Sequence, residues 1–350
     1  MRLIALLFLA AAYSTAAQAD PLPEVTVTNV RRAFHNGEHN AFTDMIRWKG
    51  KIWLTFRSCP DGHMVHPTSS ILVLSSTDGK DWKEEHRFSV ARRDVRDPHF
   101  LLFDKKLFIY TGTWWTGDDT LPREEYNINQ HLGYAVYSED GESWSEPTQL
   151  EGTYGHYIWR AAAHDGKAYL CGRRKLHYSE QDGSENAPPR MVESAMLESD
   201  DGLVWKFHSL FQPERGDETA FFFEEDGSLV AVSRSGGQPA QLVKAKSPWL
   251  EKTLVDFEEY IGGPLLKKWG DRYLVGGRRN TDEGAKTVLY WLNGEKLEQF
   301  AELPSGGDNS YPGFVEFDNG DGLISWYSSH EKDEDGNPIT AIYLANLAIK

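Results

Sequence analysis

The chain has 350 residues, a formal net charge of −16 at pH 7, two cysteines and 13% aromatic residues. An acidic surface of that size disfavours nucleic acid and anionic membranes, which both demand a basic footprint, while leaving room for an anionic ligand held by a local arginine cluster. About 330 residues beyond a leader are enough to bury one or two cores.

Arg2, the apolar run over 3–12 and the small-x-small site Ala17-Gln18-Ala19 predict a secretory signal over 1–19, with the mature protein starting at Asp20 and acting secreted or periplasmic. The run is too short to span a bilayer, and no later segment approaches a membrane span. Val25–Phe34 reads as an isolated strand. From there on, short apolar runs alternate with Gly-containing turns and helical periodicity is nearly absent, which is the pattern of an all-β chain.

Two repeats organise the rest. The pattern Ser-x-Asp-Gly-x-x-Trp recurs at 76–82, 138–144 and 199–205, with its Asp residues 62 and 61 positions apart. It predicts a tight hairpin in which Asp bonds nearby amides, Gly accepts positive φ and Trp packs across the turn. A strand–turn–strand unit recurs at 42–56, 97–110, 159–171, 219–233, 263–276 and 311–327. Six units of about 45 to 60 residues predict a six-bladed β-propeller over 20–350, its last blade lacking a fourth strand and closed by Val25–Phe34. A β-sandwich would not produce a six-fold repeat. Cys59 and Cys171 fall on non-adjacent units, so two separate buried thiols are expected.

The hairpin pattern resembles the Asp box of the sialidase superfamily, shortened by one residue, and with the six units it covers essentially the whole mature chain. The box is specific for fold and poor for function, because glycosidases, lyases and non-catalytic binding proteins all carry it.

Ligands of a propeller gather where inner strands meet, so strand starts and ends carry the candidates. Starts supply His39, Asp44, Arg96, Asp97, His99, Tyr157, Arg160, Asp217, Glu218 and Tyr311; ends supply Arg57, Arg173, Arg174, Arg234, Arg278, Arg279 and His330. The order Glu218, Arg234, Arg278 or Arg279, Tyr311 is similar to the sialidase catalytic set. The resemblance implies a retaining mechanism with Tyr311 as nucleophile, Glu218 as its base and the arginines as a bidentate clamp on a substrate carboxylate. A neutral phenol approaches an anomeric centre beside a carboxylate where an anionic side chain would be repelled. The bland readings are a structural Glu218–Arg234 ion pair and a core Tyr311 with a satisfied hydroxyl.

The family's acid sits on the first unit's loop, where Asp61 stands, although Asp61-Gly62 also reads as an ordinary turn; Asp97 is the second candidate, and His63 and His66 share the loop. The chain departs from the family where an Arg-Ile-Pro motif should open the first unit and His39-Asn40-Ala41-Phe42-Thr43-Asp44 stands instead. Arg57 or Arg96 would have to replace the missing member of the clamp, which leaves sialic acid in doubt and other acidic sugars open. Trp114-Trp115, Tyr154 and Tyr157 suit stacking on sugar rings or burial under a loop. Asp118-Asp119 lacks a spaced calcium pattern, and no zinc motif, phosphate loop or nucleophile elbow is present, so neither a metal nor a cofactor is expected.

The leading expectation is an exported sialidase-like exo-glycosidase releasing a terminal acidic sugar. A polysaccharide lyase on uronate chains and a non-catalytic glycan-binding propeller are the alternatives, and in each case the partner is a glycan.

Overall fold

A computed structural model describes residues 21–178 and 192–350; the predicted signal segment lies outside them. Six four-stranded antiparallel sheets follow one another along the chain. Blades 1 to 5 begin with inner strands His39–Trp48, Arg93–Phe103, Tyr157–His164, Thr219–Phe223 and Gly262–Trp269, and blade 6 with Asn309–Glu316. These inner strands touch one another in cyclic order, the sixth against the first, so they surround a central axis. In blade 6 the outermost strand is Val25–Phe34, paired antiparallel with the C-terminal strand Pro338–Ile349 in the register Val25↔Ile349.

Local sequence explains the hairpins. In blades 1 to 3 the inner strand turns back through Lys49-Gly50, Asp104-Lys105 and Asp165-Gly166, all at positive φ. Two consecutive left-handed residues match the right-handed twist of the strands they join. The three Ser-x-Asp-Gly turns are nearly superposable in their bonding. Asp78 Oδ1 accepts from the amides of Lys80 and Asp81 at 2.8 and 3.1 Å, Asp140 from Glu142 and Ser143 at 2.8 Å each, and Asp201 from Leu203 and Val204 at 2.8 and 2.9 Å.

These turns dock each blade on the one before it. Trp144 of blade 2 meets Trp53 of blade 1 edge to face at 5.9 Å, and Trp205 of blade 3 meets Tyr110 of blade 2 at 5.6 Å. Blade 4 lacks the pattern, and Trp249 takes the same role against Tyr169 and His164 of blade 3. The tryptophans are not equally covered: Trp205 is buried, whereas Trp82 and Trp144 are only partly so. Cys59 and Cys171 are free and buried, as expected from their separate blades.

Register separates the two ends of the ring. In blade 1 Ile52 faces Ser76 at the hairpin end, while Arg57 faces Ile71 and Ala41 at the other. The candidate residues therefore sit at the end opposite the Ser-x-Asp-Gly turns. Among the described residues no helix is long and apolar enough to cross a membrane.

Candidate active site

A repeated irregularity builds the site. The inner strands of blades 1, 2, 3, 5 and 6 each slip register once, at 41/44, 96/99, 158/161, 262/265 and 310/313. A bulge of this kind bends a strand and re-aims its side chains, and here it does so around the axis. Phe42, Asp97, Gly263 and Tyr311 occupy the bulges with φ of 65°, 52°, 58° and 53°. For Phe42, Asp97 and Tyr311 such a left-handed backbone is strained by about 1–2 kcal/mol each and persists only where the surroundings over-determine it. Gly263 is required for a second reason: a Cβ there would stand 2.6 Å from the Tyr311 ring. The Tyr311 ring packs at the axis between Phe42 at 5.0 Å and Trp159 at 5.4 Å.

The Tyr311 hydroxyl donates to Glu218 Oε1 at 2.8 Å. Glu218 Oε2 accepts from Arg234 Nη1 at 3.1 Å and from the Gly263 amide at 3.0 Å. Arg278 lies over the Tyr311 ring, 5.6 Å from its centroid. Burial, and next the charge of Glu218, push the Tyr311 phenol well above its usual value, so it is neutral at rest. Arg234 is also paired with Asp217 through Nε at 3.2 Å, and Arg278 bonds Asn309 O, Asp308 and the Tyr327 hydroxyl through Nε and Nη2. Arg234 Nη2 and Arg278 Nη1 have no hydrogen-bond partner among the described residues.

Asp97 lies on its bulge with one oxygen accepting from the Tyr157 hydroxyl and Oδ1 without a partner. Burial, followed by repulsion from Glu218, raises its carboxyl to about 7. Beside the Tyr311–Glu218 pair, Asp97 is thus a carboxyl group held toward its protonated form.

A cavity of about 550 Å³ is lined by His63, Arg96, Trp114, Arg123, Arg173 and Asp217, among others; it meets the cluster at Asp217, the partner of Arg234, while Tyr311, Glu218, Asp97, Arg234 and Arg278 are not among its lining residues. In a chain of net charge −16, four arginines around one cavity, Arg96, Arg123, Arg173 and Arg215, make a local anion-attracting field. Trp114 packs on His131 at 4.1 Å and Tyr126 at 5.2 Å while keeping an edge on the cavity. Beside the cavity, next to its lining residue His63, Asp308 Oδ2 bonds His39 Nε2 at 3.0 Å and His63 Nδ1 at 2.7 Å. Burial alone would raise the Asp308 carboxyl, but the two histidine bonds and the Arg278 charge outweigh it and hold it well below the ordinary range.

Three candidates stand apart from this cluster. Arg57 is fully buried, bonded to both Asp94 oxygens at 3.0 and 3.1 Å and to the Gly62 and Met64 carbonyls, so it braces the loop and the next blade instead of facing a ligand. Asp61 is exposed and accepts from Thr68, away from the Tyr311–Glu218 pair. Of the paired arginines, Arg278 turns inward, while Arg279 bonds Gln299 and approaches Glu302 on the outer strand and Glu259 in the loop before the fifth inner strand. Arg96 is committed to Asp94 and two loop carbonyls yet keeps a side on the cavity. Asp308 and Asp94 escaped the sequence reading. Asp308, in Gly306-Gly307-Asp308-Asn309, looks like a turn residue, and only its place just before an inner strand could have flagged it.

No family model matches the chain, and no curated protein matches it by sequence. Solved structures do. The fold is that of a sialidase-like six-bladed propeller. The Trypanosoma rangeli sialidase in complex with 2,3-difluorosialic acid, a covalent intermediate, superposes with a TM-score of 0.65 at 11% identity over 92% of this chain and 58% of its own. Phage phi92 endosialidase gives 0.65 at 9% identity, covering 92% and 69%. Zg3597, a family 117 glycoside hydrolase from Zobellia galactanivorans, gives 0.53 at 14% identity, covering 93% and 90%. The chain spans only about three fifths of the length of the trypanosomal sialidases.

Proposed function

We propose that the protein is an exported, retaining glycoside hydrolase that releases a terminal acidic sugar from a glycan. The observation that carries this reading is the 2.8 Å bond from the Tyr311 hydroxyl to Glu218 Oε1 at the axis, flanked by two arginines that each have one unpartnered nitrogen. Those nitrogens, Arg234 Nη2 and Arg278 Nη1, receive the sugar carboxylate. Tyr311 Oη attacks the anomeric carbon as its proton passes to Glu218. Asp97, neutral below about pH 7, gives its proton to the departing glycosidic oxygen. Water then displaces Tyr311, returning one proton to Asp97 while Glu218 hands the other back to the phenol. The covalent intermediate that the Trypanosoma rangeli sialidase forms with 2,3-difluorosialic acid supports a covalent route on this fold. Product analysis by proton NMR tests the proposal on aryl glycosides of N-acetylneuraminic and glucuronic acids and on uronate-containing oligosaccharides. A retained anomer as first product agrees with it. An inverted anomer refutes it, and an unsaturated, ultraviolet-absorbing uronate assigns the site to a lyase.

A further inference from the structure

The cluster of His39, His63 and Asp308 does more than the hydrolysis scheme asks of it. Its three donor atoms, His39 Nε2, His63 Nδ1 and Asp308 Oδ2, all lie within 4.8 Å of one another. They come from three places: the start of the first inner strand, the loop that follows the second strand of blade 1, and the loop before the sixth inner strand. The geometry points to a binding site for a divalent first-row cation, zinc in the first instance, beside the cavity that His63 lines.

Four observations carry this. Two imidazoles and one carboxylate are a donor set that suits zinc and, lacking further oxygens, does not suit calcium. The carboxylate is already oriented from behind: Asp308 Oδ1 accepts from the Tyr327 hydroxyl at 2.8 Å and from Arg278 at 3.1 Å, which turns Oδ2 toward both rings. Such outer partners fix the direction of a ligating oxygen. The spacing is close to what a metal needs, since ligands about 2.0–2.2 Å from a tetrahedral zinc stand roughly 3.3 Å apart. The observed 2.7 and 3.0 Å require an opening of about half an ångström, and the 46% exposed His63 side chain can supply it from its loop. His63 also lines the cavity, so a fourth position on the cation would face the ligand space, where a hydroxyl or carboxylate oxygen of an acidic sugar could coordinate. The inference stands whether or not Tyr311 is the nucleophile, because Tyr311 contributes no donor to the cluster.

The test is isothermal titration of the chelator-stripped full chain with zinc chloride, with calcium chloride in parallel. The expected result is one zinc per chain at micromolar or tighter Kd, a raised Tm, and no comparable calcium uptake. His63→Gln, at an exposed loop position, should weaken zinc binding by more than the ~10–100-fold typical of losing an outer partner. Tyr311→Phe should bind zinc like the wild type. Asp308→Asn should also lose the metal, and if it fails to fold, His63→Gln decides alone. Absence of stoichiometric zinc binding overturns the inference and leaves a hydrogen-bonded cluster. Zinc uptake unchanged in His63→Gln, or calcium bound at least as tightly, overturns it too.

Discussion

Replacing Tyr311 by Phe separates chemistry from packing. The ring keeps its contacts with Phe42 and Trp159, and only the hydroxyl leaves. Glu218 loses one bond but retains Arg234 and the Gly263 amide, so no carboxylate is stranded. A single neutral hydrogen bond to a charged group is worth about 1.5–3 kcal/mol, and the phenol's own burial is relieved when it goes, so the net stability change should be about 1 kcal/mol or less. For a chain of this size that moves Tm by no more than about 2–4 °C. Turnover, by contrast, should fall by at least about 10³-fold, because the covalent step loses its attacking atom. Differential scanning calorimetry and initial rates on one cleaved substrate measure both. Activity within tenfold of wild type, or a loss of activity that merely tracks a large loss of stability, would refute the nucleophile assignment.

Other consequences follow from neighbouring residues. The folded-state carboxyl of Asp97 lies above its unfolded value, so its ionisation opposes folding: stability should fall as pH rises from about 4 to 7, by up to about 1.4 kcal/mol per pH unit. Asp97→Asn should abolish that slope in urea titrations and lose the proton donor, and wild-type turnover should decline above about pH 7; an unchanged slope in the variant would contradict the assignment. Arg57→Met leaves the buried Asp94 with only Arg96 and the His66 amide as partners, and should cost about 3–5 kcal/mol of stability without a selective rise in KM. Trp205→Ala should cost about 3–5 kcal/mol and the partly exposed Trp144→Ala distinctly less, so equal losses in chemical unfolding would count against the unequal coverage of the blade contacts.

Much of the architecture was legible because a propeller repeats itself. Ser, Asp, Gly and Trp kept register three times, and each turn makes the same amide bonds to its Asp. The rule that inner-strand ends converge placed Glu218, Arg234, Arg278 and Tyr311 together, since a ring of strands leaves them nowhere else to point. Of Arg278 and Arg279, it is Arg278 that lies over the Tyr311 ring. Arg57 points inward, but its partner is a carboxylate on the next blade, Asp94. Partners that distant in sequence leave no local mark, and Asp308 escaped for the same reason. The bulges did leave one: Asp97-Pro98, Gly263-Pro264 and Tyr311-Pro312 put Pro inside strands, where it is confined to edges and irregularities.

The most direct test of the central claim is to trap the glycosyl–enzyme. A fluorinated acidic-sugar donor with a good leaving group slows the second step more than the first, so the covalent species should accumulate. Peptide mapping by mass spectrometry should then find one sugar attached at Tyr311, absent from Tyr311→Phe and much reduced in Glu218→Gln. A label on Glu218 or Asp97, or turnover of the donor with no adduct at any residue, would contradict the account.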